Sequence, residues 1–215
     1  MNTEDRDYLQ NEAWTLRTGR LTLHRPRATD AAGIVALAHD RTVAENVVAM
    51  PFPYELRHAE AWSAEALSGA HVAFVATAEI DDQAVPVGGG GFAAGPGGAL
   101  ELCAFIGAAH RGQGFGAELA QALVDHGFET LKADRLQASC RVTNPAARRV
   151  VEKCGFQWSG CGLAAYVGSR GAFPVDRFRL DRGIWESLGA WGRARAQRWP
   201  TTDISAKAGS EAAMQ

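Results

Sequence analysis

The chain has 215 residues, which suits one domain with extensions and is too short for two full domains. Hydrophobic residues make up 47% and charged residues 21%, as in a packed globular protein rather than a disordered or fibrous one. The 22 Lys and Arg residues nearly balance 24 Asp and Glu residues, giving a net charge of −2. This charge offers no general attraction for nucleic acid or an anionic membrane, so neither partner is predicted.

The N-terminus and the cysteines indicate the compartment. Residues 1–14 are polar and contain acids, without the basic start and apolar stretch of a secretory signal. No segment approaches the ~20 apolar residues of a membrane span. We therefore predict a cytoplasmic protein. The cysteines lack CxxC pairs and histidines at zinc-like spacing, so we predict reduced thiols and no metal site. They are Cys103, Cys140, Cys154 and Cys161.

Residue periodicity predicts the first elements. Residues 20–25 (RLTLHR) alternate leucine with polar residues, as in a half-buried strand. Asp30 is a candidate N-cap for a helix that ends near His39. A second helix is predicted over 56–67, after the PFP turn at 51–53.

A more apolar stretch begins at His71. Residues 71–80 (HVAFVATAEI) and 87–94 (VGGGGFAA) predict two strands of a hairpin, with residues 81–86 (DDQAVP) as its turn. Glycines 88–91 either permit close approach of a ligand or neighbouring backbone, or mark a loosely specified strand. After a further turn, residues 99–107 form an apolar strand that carries one acid, Glu101.

Helices and strands alternate through the second half. The next helix covers 115–131 and presents a stripe of large apolar residues. A strand at 135–142 leads to Asn144-Pro145, where Asn144 can cap a new helix and proline suits its first position. Two strands, 156–167 and 173–180, complete the sheet. The order β-α-α-β-β-β-α-β-α-β-β predicts an α+β domain with a mixed sheet.

The segment 111–116 (RGQGFG) joins a predicted strand to a predicted helix. Glycines let the backbone approach a phosphate, and the first amides of a helix lack internal acceptors at the positive end of its dipole. We predict a pyrophosphate-binding loop; the alternative is a plain strand-to-helix turn. A P-loop would end in Gly-Lys-Ser/Thr, and a Rossmann fingerprint would read GxGxxG in the first βαβ unit. Neither pattern fits.

The stretches HRGQGFGAELAQALVDHGF and RLQASCRVTNPAARRVVEKCGF resemble the GCN5-related N-acetyltransferase (GNAT) superfamily, whose loop follows R/Q-x-x-G-x-G/A. LRTGRLTLHRPRATD, PFPY, WSAEAL and N-P-x-x-R-x-V-x-E-K-x-G-F are similar to its RimJ/RimL-like branch. The resemblance covers about residues 16–181. It implies a mostly antiparallel sheet flanked by helices and splayed between the fourth and fifth strands. It also implies acetyl-CoA as co-substrate.

The resemblance further implies which residues bind acetyl-CoA. The pantetheine arm would enter the splayed sheet and pair with the backbone around Phe105, Ile106 and Gly107. Asn144 would hydrogen-bond the pantetheine side or act only as a helix cap. Arg111 would contact phosphate or only solvent. The implied loop residues are Arg111, Gly112, Gln113, Gly114, Phe115 and Gly116.

Two residues are candidates for proton transfer. Many GNAT enzymes use a glutamate on the strand before the loop, acting through water, so Glu101 is the candidate general base. The alternative is a solvated or salt-bridged carboxylate. The family's usual tyrosine and serine are replaced by Val151 and Ala147. This leaves Tyr166 as the candidate acid by its chemistry alone, or as a structural tyrosine.

The resemblance implies transfer of an acetyl group from acetyl-CoA to a primary amine by direct attack in a ternary complex. The acceptor would be a protein N-terminus or a small-molecule amine. The alternative is an acyl-CoA-binding sensor or an inactive homologue without turnover.

The domain organisation follows from the same patterns. We predict an N-terminal extension over 1–15, a GNAT domain over 16–182, a terminal helix over 183–199 and a disordered tail over 200–215. The terminal helix either docks with a basic solvated face, or it forms a homodimer contact or a local surface for an acidic substrate.

Overall fold

The computed structural model describes residues 15–48, 50–69, 71–95, 98–167 and 171–198. The chain divides into two compact units, with the boundary between Arg182 and Gly183. The predicted N-terminal extension, up to residue 14, and the predicted tail at 200–215 lie outside the described residues. None of the described helices has the length and apolar character needed to cross a membrane.

Within the described ranges, eight strands form one sheet in the order β1-β2-β3-β4-β5-β6-β8-β7. Every neighbouring pair is antiparallel except β5 and β6. The strands are β1 Thr15–Arg17, β2 Leu21–His24, β3 Val72–Ile80, β4 Gln83–Ala94, β5 Leu100–Ile106, β6 Arg135–Arg141, β7 Gln157–Ala165 and β8 Ala172–Asp181. The mixed, mostly antiparallel sheet of the predicted α+β class is confirmed.

Helices flank this sheet in the first unit, and one helix forms the described part of the second. They are α1 Ala31–Ala38, α2 Arg41–Ala44, α3 Leu56–Leu67, α4 Phe115–Glu129, α5 Pro145–Lys153 and α6 Arg182–Arg198. The second helix predicted from sequence, now α3, has the predicted bounds. The strand β1 and the single turn of α2 were not predicted, because each is too short to show a period.

The two faces of the sheet bury different helices. On one face, α4 packs against β4 and β5 and buries a stripe that includes Leu119, Leu123 and Phe128. On the other, α1, α2 and α3 form a buried cluster with Val75 of β3, and Phe105 packs against that cluster. Burial of each large aliphatic side chain stabilises the fold by about 1.5–3 kcal/mol. β5 therefore lies between the two helical layers.

The turn between β3 and β4 is shorter than predicted. Asp81 and Asp82 have φ of 51° and 58°, so they alone form a two-residue hairpin turn with left-handed backbone at both positions. Aspartate tolerates this conformation better than most residues. The predicted turn over 81–86 is therefore wrong, since 83–86 continue β4. A bulge between Ala76 and Thr77, opposite Pro86, accommodates the proline.

The glycine run 88–91 brings β4 close to its neighbours on both sides. A Cβ on Gly90 would lie 2.6 Å from the carbonyl oxygen of Cys103, and one on Gly91 would overlap the carbonyl oxygen of Val72. Of the two alternatives, close approach of neighbouring backbone is the one observed. It holds β5 against β4 over the whole of Leu100–Ile106.

Asp30 is the N-cap residue of α1, as predicted, but its carboxylate makes no capping hydrogen bond to that helix. A 3-10 turn at Ala28–Asp30 precedes α1, and Asp30 already has helical backbone angles. Its carboxylate accepts a hydrogen bond from the amide of Arg27 at 2.7 Å, so it caps the 3-10 turn from within.

Candidate active site

The sheet opens between β5 and β6. These parallel strands pair only at Leu100 with Leu136 and at Glu101 with Gln137. Beyond Glu101 they diverge, although β5 stays paired with β4 and β6 with β8. The predicted splay lies here; the predicted fourth and fifth strands become β5 and β6 once β1 is counted. Beyond Glu101, the backbone N–H and C=O groups of β5 and β6 that face each other have no strand partner. Such backbone groups require another hydrogen-bonding partner.

A cleft of about 430 Å³ occupies this gap. It runs from Glu101, where the strands part, along β5 to Ile106, and on to the loop before α4. The first turns of α4 and α5 and the segment 43–48 form its other walls. Its size is within the range of small-molecule sites.

The loop before α4 has the backbone of an anion site. Gly112 and Gly114 have φ of 77° and 87°, a left-handed conformation that glycine adopts without strain. Gly114 is the N-cap of α4 and provides no side-chain acceptor. Among the described residues, no acceptor pairs with the amides of 113–116, while the next two amides bond to the carbonyl of Gly114. Four amides at the positive end of the helix are thus available to an anion such as a diphosphate.

The third glycine of the loop keeps the cleft open. A Cβ on Gly116 would lie 3.7 Å from Ile106 Cγ1 and 3.9 Å from Val150 Cγ2. These are ordinary contacts, so any side chain at this position would extend into the cleft between β5 and α5. The residues present therefore fit a chain-like ligand whose diphosphate lies at the loop and whose arm lies in the gap.

The segment 41–48 connects the two sides of the gap. On the β5 side, Arg111 donates from Nη1 to Thr42 Oγ1 at 2.9 Å. On the β6 side, Arg141 donates from Nη1 to the carbonyl of Glu45 at 2.9 Å. The amide of Val167 donates to the carbonyl of Val48 at 2.9 Å. Sequence reasoning missed this bridge.

A local signal for the bridge was present in the sequence. Asp40 caps α2 by accepting from the amide of Thr42 at 2.7 Å and from its hydroxyl at 2.6 Å. The hydrogen bonds from Thr42 and the nearby charge of Arg111 hold the pKa of Asp40 below its usual value. An Asp-x-Thr before a short apolar run is a recognisable cap.

Most of the predicted site residues meet at the cleft. Those that line it are Glu101, Phe105, Ile106, Arg111, Gly112, Gly114, Gly116 and Asn144. Four others are not among its lining residues: Gly107, Gln113, Phe115 and Tyr166. The amide of Gly107 is already bonded to the carbonyl of Val87 at 2.9 Å. Phe115 is buried beneath the guanidinium of Arg20.

Arg111 and Asn144 already have partners within the protein. Arg111 donates from Nε to the carbonyl of Ile106 at 3.2 Å, besides its bond to Thr42. Asn144 caps α5 by accepting from the amide of Ala147 at 3.1 Å, as predicted. Its Nδ2 donates to Asn46 Oδ1 at 3.1 Å. Both side chains are therefore held in place at the cleft wall.

The two candidate proton-transfer residues are Glu101 and Tyr166, and the charge of Glu101 affects the pKa of Tyr166. Glu101 stands where β5 and β6 part and lines the cleft. Tyr166 is 3% exposed, and its hydroxyl has no hydrogen-bond partner among the described residues. Burial raises the pKa of Tyr166; the charge of Arg141 opposes this and that of Glu101 adds to it. The Arg141 guanidinium lies 5.6 Å from the Tyr166 ring centroid.

The cysteines near the cleft are protonated thiols at neutral pH. Burial, with a contribution from Glu101, raises the pKa of Cys103 to about 11. Burial, with a contribution from Asp176, raises the pKa of Cys140 to about 11. All four cysteines are free. Since the thiolate is the reactive form, neither thiol at the cleft is activated as a nucleophile.

Comparison with solved structures shows the same fold in proteins described as acetyltransferases. Spermidine N-acetyltransferase from Vibrio cholerae, in complex with CoA and spermine, matches 79% of this chain and 99% of its own, with 21% identity and a TM-score of 0.66. A putative ribosomal-protein-serine acetyltransferase from Vibrio cholerae matches 79% and 98%, with 20% identity and a TM-score of 0.62. A microcin C7 self-immunity acetyltransferase, in complex with acetyl-CoA and AMP, matches 76% and 93%, with 13% identity and a TM-score of 0.65.

Sequence comparison assigns the family. No curated protein sequence matches the chain. The profile of the acetyltransferase (GNAT) domain matches residues 20–157, from β2 to the start of β7. That match includes the diverging strands, the amide-lined loop and both helices that wall the cleft. The chain therefore belongs to the GNAT acetyltransferase family.

Proposed function

We propose that the protein transfers an acetyl group from acetyl-CoA to a primary amine, by direct attack in a ternary complex. The observation that carries the proposal is the continuous cleft with an amide-lined loop at one end and a carboxylate, Glu101, at the other. One end suits a diphosphate and the other suits an amine. The relation to complexes with CoA and with acetyl-CoA supports the same donor.

The chain's own groups suit the binding of the donor. The amides of 113–116 would hold the diphosphate at the N-terminus of α4, where the helix dipole favours negative charge. The backbone around Phe105 and Ile106 has no strand partner on the β6 side and would pair with the pantetheine arm; the Ile106 carbonyl already accepts from Arg111 Nε and has a second lone pair. Acetyl-CoA would supply the reactive thioester carbonyl.

Glu101 and Tyr166 are proposed to transfer protons during the reaction. An amine attacks only when neutral, and a lysine-like amine with a pKa near ~10.4 is almost wholly protonated at neutral pH. Glu101 would accept that proton, directly or through water. Tyr166 would donate a proton to the departing thiolate; at its usual pKa near ~10 it is already protonated at neutral pH, and burial raises that pKa further. These roles are proposals, as is that of Asn144 towards pantetheine.

The acceptor proposed is a protein N-terminus or a small-molecule amine. The related structures include enzymes named for each type, a spermidine N-acetyltransferase and a putative ribosomal-protein-serine acetyltransferase. The second supports the RimJ/RimL-like branch indicated by the sequence. A GNAT domain over 16–182, a cytoplasmic location and a homodimer contact through the terminal helix stay predictions.

Two measurements test the proposal. Calorimetry of CoA binding tests the donor site, and thiol release from acetyl-CoA over a panel of N-terminal peptides and small amines tests turnover. We expect CoA binding and amine-dependent thiol release, with acetylated product identified by mass spectrometry. CoA binding without turnover for any acceptor would favour the sensor or inactive homologue. Absence of CoA binding would overturn both readings.

A further inference from the structure

The turn between β1 and β2 contacts the loop before α4. Glu118, in the first turn of α4, accepts from Thr18 Oγ1 at 2.6 Å and from the amide of Arg20 at 2.7 Å through Oε1. Its Oε2 accepts from Arg20 Nε at 2.9 Å, with Arg20 Nη2 2.7 Å away. Both carboxylate oxygens are thus occupied by a segment almost 100 residues earlier in the chain.

Arg20 also contacts the loop directly. Its Nη1 donates to the carbonyl of Gln113 at 2.8 Å, and its guanidinium lies 4.8 Å from the ring centroid of Phe115. A Cβ on Gly114 would lie 3.1 Å from Arg20 Nη2. The carbonyl of Gln113 is thereby fixed toward Arg20. A carbonyl and the amide that follows it belong to one rigid peptide plane, so fixing the oxygen also fixes the direction of the next N–H.

Glu118 presents a problem for a diphosphate site. It lies four residues after Gly114, about one helical turn or ~5.4 Å along the axis. A carboxylate near a helix N-terminus is favourable in the empty protein but repels an anionic ligand bound there. Although partial burial opposes ionisation, the contacts with Thr18 and Arg20 lower the pKa of Glu118 below its usual value. The carboxylate is therefore charged at neutral pH, and Arg20 supplies the counter-charge.

We infer that Arg20 is a positioning residue for the coenzyme: it orients the loop peptide at Gln113 and neutralises Glu118, so that the loop accepts a diphosphate. The inference rests on the proposed function, since it presupposes CoA at this loop. Nothing in the loop sequence reveals it, because the residue that completes the site comes from the β1–β2 turn.

A double-mutant cycle tests the inference, with CoA affinity measured by calorimetry. We expect Arg20→Ala to weaken CoA binding by roughly tenfold or more, the order expected when one charge near a surface anion site is lost. In Arg20→Ala/Glu118→Gln the part of the affinity lost to the uncompensated charge should return, and the remaining loss measures the orientation of the Gln113 peptide. The glutamine Oε1 still accepts from Thr18 and from the amide of residue 20, while the repulsive charge is gone. Arg20→Lys should fall between the wild type and Arg20→Ala.

Controls separate positioning from a general structural role. Arg17→Ala removes the same charge from the neighbouring strand β1, with no described contact to the loop, and should leave CoA affinity within about twofold of the wild type. Pantetheine lacks the diphosphate, so Arg20→Ala should not change its dissociation constant. Thermal unfolding of each variant shows whether the fold is retained.

Several results would overturn the inference. If Arg20→Ala binds CoA as tightly as the wild type, Arg20 has no positioning role. If Glu118→Gln weakens binding further in the Arg20→Ala background, the network is only structural. If the unmodified chain fails to bind CoA, the proposed function fails as well, which distinguishes that result from the other two.

Discussion

Substitutions at Gly116 distinguish the effect of a side chain's size on CoA binding from the effect of its charge. This glycine has an ordinary helical position, and a Cβ there would make contacts of 3.7 and 3.9 Å with Ile106 and Val150. Gly116→Ala should therefore fold normally. Replacement of a helical glycine by alanine stabilises a helix by about 0.5–1 kcal/mol, so we expect unchanged or higher thermal stability.

The charged variant should lose the ligand. In Gly116→Asp the carboxylate would extend from the second helical residue into the space beside the free amides. Two unit charges at ~4 Å interact by about 4 kcal/mol at an effective dielectric constant near 20, which corresponds to almost a thousandfold in affinity. Gly116→Asn has nearly the same shape without the charge. We expect it to weaken CoA binding far less than Gly116→Asp.

Calorimetric titration with CoA measures these differences, and thermal unfolding confirms the fold. Gly114 is a poorer probe, because its φ of 87° and the Arg20 guanidinium 3.1 Å from its Cβ position would strain any substitution. Such strain alone costs on the order of 1–3 kcal/mol. If Gly116→Asp bound CoA within about threefold of Gly116→Asn, the diphosphate would not lie at these amides, and the site assignment would fail.

Three further predictions follow from buried or cleft-lining groups. Glu101→Gln should lower kcat by about 100-fold with nearly unchanged CoA affinity, and the deficit should shrink as pH rises; wild-type turnover would exclude Glu101 as the base. Tyr166→Phe should lower kcat by about tenfold or more without lowering the melting temperature, because it removes a buried hydroxyl that lacks a protein partner among the described residues; unchanged kcat would leave Tyr166 structural. His126 has a pKa lowered to about 4 by burial. The unfolded chain therefore binds more protons at this site below pH ~6.5, and stability should fall as pH drops from there towards 4, by at most about 1.4 kcal/mol per unit. Urea unfolding across this range should show a flatter profile for His126→Leu, and an identical profile would contradict the prediction.

The sequence predicted the long, periodic elements and the loop well. The helix α3, the capped start of α5 and the strand–loop–helix order around Gly112 each follow from local patterns that the structure retains. The mistakes have local causes. The β3–β4 turn contains only Asp81 and Asp82, because a bulge accommodates Pro86 within β4. No short-range sequence pattern predicts a bulge.

Other parts of the site depend on contacts between distant segments. Arg20 reaches Gln113 across 93 positions, and Arg141 reaches Glu45 across 96. Gln113 lies in the loop motif, but no local pattern links it to Arg20, or Arg141 to Glu45, so a single sequence offers no signal for either pair. The motifs predict a ligand site at this loop, which stays a prediction. Packing between β2, the segment 41–48 and the loop determines how that place is shaped.

Asn144 is a motif residue whose proposed role depends on one of these long-range contacts. The resemblance assigns it to pantetheine, whereas capping alone explains Asn-Pro at a helix start. In the structure Oδ1 caps α5 and Nδ2 donates to Asn46, on the bridge over the gap. An amide nitrogen has two hydrogens, so Nδ2 retains one donor while the Asn46 bond stays intact. Asn144 can therefore hold the bridge and still offer a hydrogen bond towards the cleft that it lines. The cap and the proposed ligand contact are compatible, because the side chain has enough groups for both.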